Sequence, residues 1–248
     1  METIPKLIHY FWLGNKNKNA LTKKCINSWK KFAPNYRIIE WNEKNIPFER
    51  IKAQYVSEAI SKQKWAFATD YLRLFILNEY GGLYMDTDVE LIRPISELER
   101  LESFICFESE NTLCTALIGA KDHKAWIKEL LDNYNRRKFI VNGRIDMTPN
   151  SKYILKFLNQ YHGLKLNTSY KQNLKCQLVV FPAEYFSPRN YSTKEINITS
   201  NTYAIHHYAG TWKTSFGKIK DNFFALLARI TSERFVNIIK NSLKTFLR

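Results

Sequence analysis

Trp65-Ala66-Phe67-Ala68-Thr69-Asp70-Tyr71-Leu72-Arg73-Leu74-Phe75-Ile76-Leu77-Asn78-Glu79-Tyr80-Gly81-Gly82-Leu83-Tyr84-Met85-Asp86-Thr87-Asp88 decides how this chain is read. Residues 64–80 are apolar on nearly every face, which predicts a helix buried on most sides. Asp70 and Arg73 are its conspicuous polar residues, and at i,i+3 they share a face and can pair. Gly81-Gly82 ends the helix, because glycine takes positive φ without penalty. A short apolar strand over 83–85 then delivers Asp86 and Asp88 beyond its carboxyl end, where open α/β sheets bind ligands. Two carboxylates beside apolar surface are expensive unless something pairs with them. Two hard oxygen donors suit Mn²⁺ or Mg²⁺ rather than zinc. A cation held there neutralises a diphosphate, which makes it a better leaving group. A calcium-binding EF-hand is excluded, since Leu91 occupies the loop position that requires glycine.

The same alternation of elements continues on both sides. Upstream, the aromatic run 4–12 predicts a buried first strand, 20–32 a helix, Tyr36 to Trp41 a second strand and 54–61 another helix. Downstream, the pattern predicts strands over 104–108 and 115–120, helices over 123–134 and 153–158, and strands over 176–181 and 204–208. The fold class is therefore α/β, with a mainly parallel central sheet. At 248 residues and 45% hydrophobic content the chain builds one sizeable core. We expect one domain over 1–215 and a separate tail over 216–248.

Composition narrows the functional classes. No run reaches the roughly 18 apolar residues of a membrane span, and Met1 to Lys6 lacks the pattern of a secretory signal. Cys25, Cys106, Cys114 and Cys176 are too far apart for a zinc or redox motif. A cytoplasmic location is expected. The net charge of +15 points to an anionic partner. No zinc finger, RNP-type motif or arginine-rich tract is present, which argues against nucleic acid. Between Thr211 and Arg248 stand eight basic and two acidic residues, interleaved with Phe, Leu and Ile at helical spacing. That tail reads either as an interfacial helix on an anionic membrane, our preferred reading, or as a helix packed on the domain or a partner. The protein would then be peripheral on the cytoplasmic face of the membrane.

Taken together, Ala66, Asp70, Arg73, Leu77, Gly81-Gly82, Tyr84, Asp86 and Asp88 resemble the DXD signature of glycosyltransferase family 32. That family groups capsular polysaccharide and α-mannosyltransferase-like enzymes, and the glucosylating domains of large bacterial toxins share its pattern. Ile4-Pro5-Lys6-Leu7-Ile8-His9-Tyr10-Phe11-Trp12 resembles the family's opening strand, and His206-His207-Tyr208-Ala209-Gly210-Thr211-Trp212 its closing motif. The likeness spans roughly residues 4–213, loosely over 110–200.

The resemblance implies a GT-A nucleotide-sugar-binding sandwich and a metal-dependent, retaining hexosyltransferase. Its donor would be a nucleotide sugar, with UDP preferred and GDP-mannose open. Its acceptor would be a hydroxyl of a surface polysaccharide or of a lipid-linked glycan, as in capsule or lipopolysaccharide biosynthesis. Asp88 would ligate the metal directly, and Asp86 would bridge the metal and touch the ribose or sugar. Asp70 and Arg73 would hold the donor's hydroxyls and diphosphate, Tyr84 would line that pocket, and Thr211-Trp212 would close over it.

Trp12 is either a base-stacking platform or plain core, and the resemblance favours stacking. His9 faces away from the even-numbered side chains of its strand and reads as a satisfied core histidine. Of His206 and His207, adjacent on a strand, one faces the site; His207 is preferred as a metal ligand and His206 is the alternative. Lys213 either meets the leaving phosphate or sits on a solvated loop. Two other functions compete: an Asp-x-Asp phosphohydrolase, disfavoured by Glu90 where it expects Thr or Val, and a non-catalytic glycan-assembly module of the same fold.

Overall fold

A computed structural model describes residues 3–14, 17–190, 192–210 and 225. Its order is β1 (Leu7–Phe11), α1 (Ala20–Phe32), β2 (Arg37–Trp41), α2 (Gln54–Ser61), α3 (Trp65–Tyr80), β3 (Gly82–Met85), β4 (Val89–Leu91), β5 (Ser103–Ser109) and β6 (Thr112–Ala120). These are followed by α4 (Ala125–Asn135), β7 (Ile140–Val141), β8 (Arg144–Ile145), α5 (Asn150–His162), β9 (Gln172–Leu174), β10 (Leu178–Phe181) and β11 (Ala204–His206). Every helix and main strand expected over residues 4–208 is present. The sequence pattern missed β9 and the hairpin β7–β8, and α5 is longer than the expected 153–158. The tail over 216–248 lies outside the described residues, apart from Ala225.

Seven strands form the central sheet in the order β2-β1-β3-β6-β5-β10-β9. β2, β1 and β3 are parallel, and so are β5 and β10, while β6 and β9 run antiparallel to their neighbours. The sheet is thus mostly parallel, as expected. Its two faces carry separate cores. On one face α3 buries Tyr71, Leu72, Phe75 and Ile76 against α2 and α4, while α5 packs on β6. On the other, Cys25 and Trp29 of α1 pack beside Leu83, Met85 and Val89. Asn19 caps α1 by accepting from the Thr22 amide at 2.9 Å. The Trp29 indole donates to the Val89 carbonyl at 2.7 Å, tying that helix to β4.

The turn from α3 into β3 explains its two glycines. Gly81 and Gly82 have φ of +60° and +97°, and a Cβ on Gly82 would meet the Leu7 carbonyl oxygen at 2.7 Å. Only a bare backbone lets β3 lie this close to β1. His9 sits against the same turn, fully buried. Its Nε2–H donates to the Gly81 carbonyl at 2.9 Å, and its Nδ1 accepts from the Trp41 indole at 3.1 Å. Both ring nitrogens are used by the neutral form, the satisfied core histidine the alternation suggested.

Burial holds the His9 pKa down to about 4. The unfolded chain takes up this proton near 6.5 and the folded chain only near 4. Stability is therefore complete above pH 6.5 and falls as the pH drops towards 4, by about 3 kcal/mol from this group. Urea unfolding across that range, compared with His9→Gln, checks it: the variant loses that part of the slope.

Candidate functional site

Asp86 leaves β3 as the sheet pairing ends, with its amide on the Ala116 carbonyl at 2.7 Å. Three residues on, the chain enters β4, which pairs antiparallel with β11 in the register His206↔Val89. This small second sheet carries the closing motif back to the paired aspartates. The His207 amide donates to the Asp88 carbonyl at 2.9 Å, and the Ala209 amide donates to Asp88 Oδ2 at 2.7 Å. Asp88 is thereby fixed by backbone amides of the segment that directly follows β11.

The imidazole turned towards the aspartates is that of His206. Its Nε2 lies 3.5 Å from Asp88 Oδ1, and its Nδ1 lies 3.7 Å from Glu108 Oε1. One ligand atom each from Asp86, Asp88 and His206 falls within 4.8 Å of the others, the one such group among the described residues. Two carboxylates and an imidazole at that separation could hold a divalent metal ion. The preference for His207 is corrected here. Strand alternation turns its ring to the other side, where Nε2 lies 2.7 Å from Glu90, itself 2.8 Å from the Lys24 ammonium.

A second layer of charge stands behind Asp86. Arg73 is 5% exposed, and its guanidinium is fully engaged. It donates to the Thr69 carbonyl at 3.1 Å and the Thr115 carbonyl at 2.6 Å, pairs with Asp70 at 3.1 Å, and approaches Asp86 at 3.7 Å. Its plane lies 4.6 Å from the Tyr84 ring centre, and the Tyr84 hydroxyl donates to Asp86. Asp70, Arg73, Tyr84, Asp86 and Asp88 therefore form one connected group. Trp12 follows β1 at the same edge of the sheet, half-buried, with the Lys18 ammonium 5.2 Å from its ring centre. Thr211, Trp212 and Lys213 lie outside the described residues.

The electrostatics divide the carboxylates. Burial pushes Asp70 up to about 7, more than the adjacent guanidinium pulls it down. Burial also raises Asp86, against the pull of Arg73. For Asp88 burial acts in the same direction, but the charge and hydrogen bond of His206 and the Ala209 amide outweigh it, so its carboxyl stays below its ordinary range. His206 is held charged in return, well above its ordinary value, by Asp88 and Cys114 against the cost of burial. The three groups are partly exposed, and a metal ion ligated there would take the place of the proton on His206, since only the neutral imidazole can ligate.

Glu108, Cys114 and Tyr208 had escaped the sequence reading as site residues. Cys114 Sγ lies 4.0 Å from His206 Nδ1, and the Tyr208 ring centre is 4.1 Å from that of His206. Glu108 and Cys114 reach the site through the β5–β6 pairing, which sets Cys106 opposite Cys114. No spacing in the chain signals that proximity. Exchanging each histidine separates their roles: His206→Ala is expected to weaken Mn²⁺ binding about 10- to 100-fold, and His207→Ala to leave it within a few-fold. Titration followed by the Mn²⁺ EPR signal checks this, and the reverse order would return the ligand to His207.

Fold and site together place an Asp-Thr-Asp centre at the end of a mostly parallel α/β sheet, and comparison with known proteins bears on what that means. Residues 20–105 match the family model described as "Glycosyltransferase sugar-binding region containing DXD motif". The matched stretch runs from α1 into β5, and the whole fold is similar to that of GT-A glycosyltransferases. It is 34% identical over 77 residues to human alpha-1,4-N-acetylglucosaminyltransferase, covering 31% of this chain and 22% of that protein. It is 24% identical over 145 residues to inositol phosphoceramide mannosyltransferase 3 of Schizosaccharomyces pombe, covering 55% and 38%. The chain thus matches well under half the length of these curated relatives. Among solved structures it resembles the PaToxG glycosyltransferase, with a TM-score of 0.51 and 21% identity, over 64% of this chain and 69% of that one. That likeness concerns the fold.

Proposed function

We propose that this chain is a metal-dependent, retaining glycosyltransferase that moves a hexose from a nucleotide sugar to a hydroxyl of a glycan or lipid-linked acceptor. The observation that carries the reading is the junction of Asp86, Asp88 and His206 at the carboxyl end of β3, backed by the Asp70–Arg73 pair. Two relatives, an inositol phosphoceramide mannosyltransferase and an N-acetylglucosaminyltransferase, support sugar transfer as the reaction class.

In this reading Asp86, Asp88 and His206 hold the cation. Bound there, the cation supplies positive charge to the donor's diphosphate as the glycosidic bond breaks. Asp70 recognises sugar hydroxyls, kept in place by Arg73. Arg73, held by two backbone carbonyls and Asp70, keeps a fixed positive charge beside the diphosphate without needing to reorganise. Tyr84 orients Asp86 through its hydroxyl and fills the floor of the pocket. Trp12, at the sheet edge, offers an indole face for the base. UDP is the preferred carrier and GDP-mannose the alternative.

A nucleotide-release assay across UDP- and GDP-sugars, with Mn²⁺ and with EDTA, tests the proposal. Release from one donor that EDTA abolishes is expected. Phosphate release from simple phosphoesters, with every nucleotide sugar left intact, would overturn it in favour of a phosphohydrolase.

A further inference from the structure

The hairpin β7–β8 is built with more care than its size requires. It turns on Asn142 and Gly143, with φ of 50° and 74°, the signature of a tight two-residue hairpin. Both backbone amides at its base, those of Phe139 and Ile140, donate to one carboxylate oxygen of Glu58 at 2.7 and 3.0 Å. Arg137 clamps the returning strand through Asp146 at 2.9 and 2.6 Å. Phe139 roots it in the core, its ring 5.2 Å from that of Phe67, one helical turn before Asp70.

This rigid base presents apolar side chains to solvent. Val141 is 50% exposed, Ile145 36% and Met147 54%. Three large apolar groups in water within seven residues oppose the usual burial preference, on a support with little freedom to fold them away. Their surroundings are cationic. Residues 136–156 contain six basic residues and one acidic one, and that acid, Asp146, is bound to Arg137. Arg136, Lys138 and Arg144 are exposed, and Arg144 pairs across the hairpin with Val141, so the two share a face.

We propose that this hairpin is a contact site for an acidic lipid bilayer. Val141 and Met147 enter the headgroup boundary, and Arg136, Lys138 and Arg144 meet anionic headgroups, while Ile145 lies on the other face of the ribbon, opposite Ile140. Apolar tips ringed by long cationic side chains match both layers of such a surface. Because the hairpin is rooted beside α3, docking sets the Asp70 wall of the site next to the membrane, where a lipid-linked acceptor would be presented. The contact itself stands on the hairpin's exposure and charge, independently of the transferase reading.

Vesicle flotation with the full chain tests it, using phosphatidylcholine with and without phosphatidylglycerol and no sugar donor. Binding to the acidic vesicles is expected. Val141→Asp with Met147→Asp, and separately Arg136→Glu with Lys138→Glu and Arg144→Glu, are each expected to weaken it about tenfold or more. Val141→Ile with Met147→Leu should retain it, and unchanged melting temperatures would show that the charged variants fold. Wild-type-like binding by both charged variants would overturn the proposal, as the contact would lie elsewhere in the chain. Absence of wild-type binding would overturn it too. So would self-association abolished by Val141→Asp with Met147→Asp in a chain that ignores vesicles, which would mark the hairpin as an interface between copies.

Discussion

Asp88→Asn is expected to abolish Mn²⁺-dependent nucleotide release, with a loss of about 10³-fold or more, while leaving the fold intact. The substitution keeps an oxygen for the Ala209 amide, which donates to Asp88 Oδ2 at 2.7 Å, so the link from the closing motif persists. It removes the one carboxylate of the group that its neighbours hold below the ordinary range. That makes Asp88 the carboxylate most firmly charged for a cation, whereas burial works against the charge on Asp86. A cation that stabilises a departing diphosphate contributes several kcal/mol, and about 4 kcal/mol corresponds to a thousandfold in rate. Thermal unfolding gives a readout that does not need turnover. Mn²⁺ at a hundred times its dissociation constant stabilises the wild type by about 2.7 kcal/mol. The variant should lose that gain and melt within a few degrees of the wild type in EDTA. A variant whose melting point still rises with Mn²⁺ would place the cation elsewhere.

The sequence carried the fold because each main element has its own local signal. Asn19 caps α1 just where the apolar spacing of Cys25 and Trp29 begins, and Gly81-Gly82 stops α3 one residue before β3. The pair of aspartates was legible for the same reason: strand, turn and carboxylates are contiguous. Asp70 and Arg73 were legible as a pair because helical spacing alone brings them together. What local signals do not encode is which residues meet across the sheet. Glu108 and Cys114 reach His206 only through the pairing of β5 with β6, and the orientation of His206 against His207 depends on how β11 registers with β4. Strand alternation says that the two histidines diverge, and only the register says which one turns inward. The hairpin β7–β8 is a different case. Asn142-Gly143 is a readable turn, but strands of two residues are too short to show a period.

Arg73→Met should be the most destabilising single change at the site, by about 3–5 kcal/mol at neutral pH. The guanidinium reaches the Thr69 and Thr115 carbonyls, Asp70 and Asp86 at once. Methionine fills comparable space and satisfies none of them, leaving the mostly buried Asp70 and the partly exposed Asp86 without their cation. The loss should depend on pH, and its direction is fixed by Asp70. With Arg73 present, burial already raises Asp70 to about 7, so the folded chain keeps a proton that the unfolded chain releases near 4. Stability from this group is complete below pH 4 and declines as the pH rises towards 7. Without the guanidinium, which pulls Asp70 down, the folded value moves higher and the decline extends to higher pH. In metal-free protein the variant should therefore lie closest to wild type in mild acid and fall away through neutrality, and urea unfolding from pH 5.5 to 8 would follow it. Arg73→Lys keeps the charge but not the fork that spans four partners, and should fall between the two. A variant equally destabilised at every pH would show that Arg73 acts through packing on Tyr84, 4.6 Å from its plane, and not through the carboxylates it separates.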